Sequence, residues 1–287
     1  MSIFAWPNGW TIDRKIESVV GAIGMDPYDA ALRLRKPPPF AIKAMNVEAA
    51  KDALRVFNKD GVTAFAPTQQ HLDLVPRAVP AKALSPATGA PEPMWTCELW
   101  RRGDAPEASD GCTFGLFAAQ IRLIIRAKIV DRIRGEVENS TSYNPNLHAG
   151  QPTHIRHADK VMTSDLIDLY CFDPALRGAD GQDKRVSGWR RIRIGGEKFN
   201  FASLLGAQRS WTDNENVDRA AVALGEAART AALDTGFRDF QPPLGMASDA
   251  NVPGGGHRSS NRHLFEFYSA WVYIRERALG TLATRHE

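Results

Sequence analysis

A run of basic residues is the first feature of this sequence that could do chemistry. The segment QIRLIIRAKIVDRIR, residues 120–134, carries five basic side chains, all at even-numbered positions: Arg122, Arg126, Lys128, Arg132 and Arg134. Successive side chains of a β-strand point to opposite faces, so a strand here would separate these five from the aliphatic residues between them. Such a basic face could hold phosphate groups or the backbone of a nucleic acid.

The segment RRIRI repeats this alternation, with Arg191 and Arg193 on one face and isoleucines on the other. If its strand lay beside the first, the two strands would form one basic surface. The alternative is a solvated face of an antiparallel sheet, where basic side chains pair with carboxylates such as Asp165, Asp168 or Glu98. Because the interleaved residues are aliphatic and not aromatic, the pattern favours the solvated face over a site for single-stranded nucleic acid.

Other constellations in the sequence do not indicate a catalytic centre. The sequence has no GxSxG, HExxH or GxGxxG motif. Asp165 and Asp168 are three residues apart, which in a strand places them on opposite faces, where they cannot act together as acid and base. The glycine-rich segment PGGGHRSSNRH lacks the spacing of a nucleotide-binding loop and is typical of a connector.

Metal and disulfide chemistry have little support. A zinc site usually shows two closely spaced ligand pairs, and this sequence offers only His154 and His157, without a CxxC pair. The three cysteines are odd in number and widely spaced, which is no disulfide framework. We expect no metal and no cofactor, and we expect a reducing, cytoplasmic location.

Composition sets limits on the possible partners. The chain has 287 residues, 43% of them hydrophobic and 24% charged, with a formal net charge of +3, so attraction to an acidic partner must come from a local patch. The most apolar window, FGLFAAQIRLIIRAKIV, contains three basic residues, which argues against a transmembrane segment. The N-terminal residues lack the pattern of a signal peptide.

The first part of the chain predicts a small α+β domain over residues 1–75. Two short helices are followed by a strand in PPPFAIKAM, a helix that Asn46 caps and Gly61 ends, and a strand in VTAFAP, which together form a split βαβ unit. The segment AAKDALRVFNKDGVTAFAP resembles the helix, glycine and strand of ferredoxin-like and sporulation-repeat-like modules. That resemblance implies a fold and no particular activity.

The remainder predicts a linker and a second domain. Residues 76–93 are rich in proline and alanine, as linkers are. Residues 94–287 then contain strands in MWTCELWRR, AAQIRLIIRAKIVDRIR, SDLIDLYCFD and GWRRIRIGGEKFNF, before a helix that Thr212 and Glu215 would begin as a capping box. Strands followed by a helix over residues 94–235 resemble a bacterial pleckstrin-homology-like domain, which implies a mostly antiparallel β domain closed by helices.

The last predicted helix, HLFEFYSAWVYIRERAL, carries an aromatic stripe that includes Phe267, Tyr268 and Trp271. Such a stripe either packs inside its own domain or binds another subunit. We therefore predict an α+β protein that is a non-catalytic scaffold or binding protein, docking a protein partner or a second copy of itself through a sheet face and this helix. The alternative is binding of a phosphate, phospholipid or nucleic-acid backbone by the basic strand faces, and an enzyme is the third hypothesis.

Overall fold

The structure is a computed structural model that describes residues 1–100, 112–133, 137–141, 152–156, 160–174, 188–196, 198–244 and 258–282. Arg134, His157 and residues 253–257 of the glycine-rich segment lie outside the described residues. Within them the chain folds as the predicted α+β protein, with a small three-stranded sheet and a larger, mostly antiparallel sheet.

The N-terminal domain is built on a split βαβ unit. Its elements are β1 (Ser2–Ala5), α1 (Ile12–Ile23), α2 (Pro27–Arg33), β2 (Phe40–Ala41), α3 (Val47–Lys59) and β3 (Thr63–Phe65). Strand β1 lies between β2 and β3 and is antiparallel to both, so β2 and β3 run in the same direction with α3 between them in sequence. The Asn46 side chain accepts a hydrogen bond from the amide of Ala49 at 2.8 Å, which confirms the predicted helix start.

The larger sheet follows a short helix, α4 (Gln69–Asp73). Its strands are β4 (Ala78–Pro86), β5 (Met94–Leu99), β6 (Thr113–Phe117), β7 (Ile121–Ile133), β10 (Lys160–Phe172), β11 (Trp189–Gly195), β12 (Ala232–Asp234) and β13 (Arg258–Ser260). The order across the sheet is β12, β7, β10, β11, β4, β5 and β6. β13 pairs with the C-terminal end of β7, residues 131–133. Two further strands, β8 (Val137–Thr141) and β9 (Pro152–Arg156), pair with each other.

Helices cover both faces of this sheet. The five-residue α5 (Phe201–Leu205) and α6 (Asp213–Ala227) pack on one face, and α7 (Arg262–Ala278) packs on the other. The faces are named here the α6 face and the α7 face. The indole nitrogen of Trp271 in α7 donates to the hydroxyl of Ser2 at 2.8 Å, and this bond joins the N-terminal domain to the larger sheet.

Two sequence predictions about these elements are wrong. The segment predicted as a linker, residues 76–93, contains β4, which pairs with β11 and β5 and buries Leu84. Alanines at alternating buried positions give this strand a weak hydrophobic pattern. The capping box also fails, because Thr212 makes no side-chain capping bond and Glu215 instead accepts from the hydroxyl of Ser210. No helix in the described part of the chain is long and apolar enough to cross a membrane.

Candidate functional site

The two predicted sets of basic residues do not share a surface. Strand β10 lies between β7 and β11, so the strands that carry them are not neighbours. Lys128 is directly opposite Asp165 and shares its side of the sheet, the α6 face, whereas Arg193 is opposite Asp168 on the α7 face. The combined basic surface that neighbouring strands would have formed is therefore absent.

Arg191 and Arg193 form a buried cluster with Asp168. The carboxylate of Asp168, 0% exposed, accepts from Nε of Arg191 at 2.9 Å, from Nε of Arg193 at 2.7 Å and from the hydroxyl of Ser269 at 2.8 Å. Both guanidinium groups also pair with Glu266 of α7. Burial alone would raise the pKa of Asp168, but the two arginines outweigh it and hold that pKa below its usual value.

The basic residues of β7 lie in less enclosed surroundings. Arg126 contacts Asp165 at 3.5 Å and also pairs with Asp218 of α6. Lys128 and Arg132 are exposed. The strand arginines pair with Asp165 and Asp168 as predicted, but the solvated face predicted for Arg191 and Arg193 is wrong, because these two residues are buried. Glu98 pairs with Lys82 at 3.4 Å instead.

Arg122 occupies a β-bulge. The pairing of β7 with β10 passes from Leu123 to Ile121 and skips Arg122, which is half-buried and whose Nε lacks a hydrogen-bond partner. The bulge turns Ile121 toward the α6 face, whereas uninterrupted alternation predicted it on the same side as Leu123.

The aromatic stripe of α7 packs inside the protein. Tyr268 and Trp271 are 3% and 4% exposed, and Phe267 is partly buried against the same cluster. The predicted use of Tyr268 and Trp271 to dock a partner is therefore wrong, because the chain's own Phe240 and Ser2 contact them. For the partly buried Phe267 the use stays a prediction. The hydrophobic pattern alone could not distinguish these two uses.

Two of these buried aromatic residues line a cavity between the N-terminal domain and α7. The cavity has a volume of about 470 Å³, and we call it the α7 pocket; its principal lining residues are Arg33, Phe40, Phe240, Tyr268, Trp271 and Arg275. This volume falls in the range of small-molecule sites, roughly 300–1,000 Å³.

The polar groups of the α7 pocket fall into two sets. Asp234 is fully engaged, because it accepts from the hydroxyl of Tyr268 and pairs with Arg275 at 2.9 Å. Burial and the adjacent Asp234 raise the pKa of Tyr268 above its usual value, so this hydroxyl stays protonated. Arg33 and Lys36 instead donate to backbone oxygens, those of Ala41 and Asp239.

Arg33 and Lys36 were not among the predicted site residues. Their signal in the sequence was the run RLRKPPPF, where basic residues meet a proline run, but nothing there indicates that α7 lies opposite. A group of three or more His, Cys, Asp or Glu side chains arranged for a metal ion was not found in the part of the chain that the structure describes.

Comparison with known proteins gave no relatives. No family model, no curated protein and no solved structure matches this chain.

Proposed function

We propose that this chain is a non-catalytic binding protein whose ligand, held in the α7 pocket, joins an aromatic or apolar body to an anionic group. The observation that carries the proposal is the guanidinium group of Arg33. It is half-buried at the pocket, and its hydrogen bond to the backbone oxygen of Ala41 is long, at 3.4 Å.

The aromatic side chains of the pocket suit the body of such a ligand. The Phe240 ring lies 4.8 Å from that of Tyr268 and 5.7 Å from that of Trp271, and all three line the cavity. Aromatic rings supply large apolar contact areas at fixed geometry, so they favour a flat or compact hydrophobic group.

The charges around the pocket suit an anionic group. Arg275 and Asp234 neutralise each other, and Asp239 contributes one further carboxylate. Arg33 and Lys36 form no ion pair with the described residues that line the pocket, although just outside this lining Asp29 acts electrostatically on Arg33 and Glu276 pairs with Arg275. Burial lowers the pKa of Arg33, and a carboxylate, sulfonate or phosphate beside it would offset that cost of desolvation.

This proposal keeps the hypothesis of an anionic ligand but moves it away from the strand arginines. Arg191 and Arg193 already share Asp168 and Glu266, so an added anion would have to compete with two carboxylates. Arg33 has no salt bridge to a carboxylate among the described residues, and Asp29 acts on it only through its charge.

The test uses 8-anilinonaphthalene-1-sulfonate, a fluorescent probe with an aromatic body and one sulfonate. We expect saturable binding to the folded protein, and Arg33→Gln should weaken it roughly tenfold, which is about 1.4 kcal/mol for one charge-assisted hydrogen bond. Arg35→Gln is the matched control, because Arg35 is exposed, two residues away and outside the pocket lining.

A neutral probe separates the anion from the aromatic body. N-phenyl-1-naphthylamine lacks the sulfonate, so its binding should change little in Arg33→Gln. Thermal melts of each variant exclude partial unfolding, which by itself increases the binding of such dyes. Equal losses for both probes, or no saturable binding of the sulfonate, would overturn the proposal.

A further inference from the structure

Strand β10 has an open edge where β11 ends. β10 pairs with β7 from Lys160 to Cys171, but its pairing with β11 begins only at Leu166, which is opposite Gly195. Residues 160–165 therefore have a strand on one side and, among the described residues, none on the other. The open edge has the sequence KVMTSD, without proline and with a β-branched valine and threonine.

A cavity of about 660 Å³ follows this edge. It is lined by five consecutive residues, 162–166 of β10, and by Gly195 and Gly196. Because successive residues of a strand face opposite sides, a cavity that touches five in a row must run along the edge and not over one face. We call this cavity the β10 groove.

Gly195 keeps the chain from filling the groove. Its φ is +108°, and a Cβ placed on it would lie 2.5 Å from the backbone oxygen of Asp165. Gly196 also has a positive φ of +76°. β11 thus ends at two successive glycines in backbone conformations that other residues rarely adopt, and both glycines line the groove.

One polar atom at the groove is buried without a partner. The side chain of Asp165 is 5% exposed, and its Oδ1 has no hydrogen bond with the described residues, while its Oδ2 has the 3.5 Å contact with Arg126. An unpaired buried acceptor costs about 1–3 kcal/mol. Asp165, which lines the groove, therefore has a buried acceptor that no donor among the described residues uses.

We infer that the β10 groove binds an extended peptide as an added strand and that a lysine or arginine of this peptide reaches Asp165. Backbone groups of the peptide pair with the open edge, as in other cases of strand addition. A basic side chain opposite Thr163 lies diagonal to Asp165 on the α6 face, within reach of its carboxylate. This site is separate from the α7 pocket and does not depend on the ligand proposed there.

The other charges of the groove do not supply the missing donor. Asp131 and Asp213 line it and add negative charge, whereas Lys198 lies over the ring of Trp100 with its nitrogen 5.8 Å from the centroid. Arg262 also lines the groove, so the groove as a whole is not acidic. The preference for a basic side chain thus rests on the buried oxygen of Asp165.

The experiment is selection from a phage-displayed library of random peptides of roughly eight residues, longer than a typical strand. We expect the selected peptides to share a lysine or arginine and to lack proline at alternating positions. Synthetic versions should bind Asp165→Asn roughly tenfold more weakly than the original protein. Asp218→Asn is the matched control, because Asp218 pairs with the same Arg126 but does not line the groove.

Two further measurements distinguish strand addition from other kinds of binding. N-methylation at alternating amides of a selected peptide should abolish binding, because it removes the backbone donors that face the edge. Retained binding after methylation would indicate a pocket for a small cation and overturn the inference. If the protein alone forms a dimer in light scattering and Asp165→Asn dissociates it, the edge binds a second copy of the protein, and the inference is overturned. Failure to select any peptide would overturn the inference as well.

Discussion

Asp165 and Asp168 stand on the same strand, and both are almost completely buried, but their surroundings differ. Asp168 has donors at both oxygens, from two guanidinium groups and a hydroxyl. Asp165 has one long contact and one oxygen without a partner. The two groups shift in opposite directions: the arginines hold the pKa of Asp168 below its usual value, whereas burial raises the pKa of Asp165 against the opposing charges of Arg126 and Lys128.

The length of β11 accounts for this difference. Arg193 is directly opposite Asp168, and Arg191 lies two residues further along the same face. β11 ends at Gly195, opposite Leu166, so no residue of that strand is paired with Asp165. One buried carboxylate thus has donors at both oxygens, and the other has an oxygen without a donor among the described residues.

Removing the Asp168 carboxylate should have the largest effect on stability. Asp168→Ala leaves the guanidinium groups of Arg191 and Arg193 buried with only Glu266 to pair with, and we expect the free energy of unfolding to fall by about 3–5 kcal/mol. Urea denaturation measures this change. Asp165→Ala should lower the free energy of unfolding much less. Equal losses of stability in the two variants would contradict the proposed difference between the two carboxylates.

The same contrast predicts opposite pH dependences. The folded-state pKa of Asp168 is lowered, so its contribution is present above the unfolded value of about 3.9 and is lost as the pH falls through the folded pKa. The folded-state pKa of Asp165 is raised, so ionising this residue costs stability as the pH rises from about 3.9 through its folded pKa.

Urea denaturation between about pH 2 and pH 7 tests both signs. The stability advantage of the original protein over Asp168→Asn should shrink toward the acid end. Relative to Asp165→Asn, the original protein should instead lose stability as the pH rises. Parallel curves for the two comparisons would contradict the assigned directions.

Helix caps and strand alternation were the parts of this structure that the sequence predicted best. Asn46 begins a helix as its side-chain chemistry predicts, because this bond is local. The opposite faces of Asp165 and Asp168 are confirmed for the same reason. The pairing of β4 with β11 is not local, and its alanine-rich strand carried too weak a pattern to be separated from a linker.

The roles of the site residues depend on which elements lie next to them, and the alternation of side chains along one strand does not predict those neighbours. The sequence showed that Arg191 and Arg193 share a face, but not that α7 covers this face with Glu266. Tyr268 and Trp271, which were predicted as docking residues, line the α7 pocket instead. Which strands are adjacent, and where each strand ends, decided the role of every charged residue on β10.

Gly195→Ala should have an intermediate effect. At φ +108° any side chain is strained, and the added carbon would meet the backbone oxygen of Asp165, so we expect a loss of about 1–3 kcal/mol. Gly225→Ala is the control, because Gly225 lies inside α6 with open space beside it and should gain up to about 1 kcal/mol. An unchanged stability in Gly195→Ala would mean that the backbone at the end of β11 can shift, and the groove would then lose its fixed boundary.

The smallest change is expected for Arg126→Ala. The Arg126 side chain is 33% exposed, its contact with Asp165 is long, and Asp218 can be solvated without it, so we expect a loss of at most about 1 kcal/mol. Arg193→Ala, which opens the buried cluster, is the comparison and should cost several times as much, about 3–5 kcal/mol. A loss above about 2 kcal/mol in Arg126→Ala would place Asp165 with Asp168 as a structural carboxylate. In that case Arg126 would already stabilise the carboxylate of Asp165, and the argument that a peptide in the β10 groove supplies its missing donor would fail.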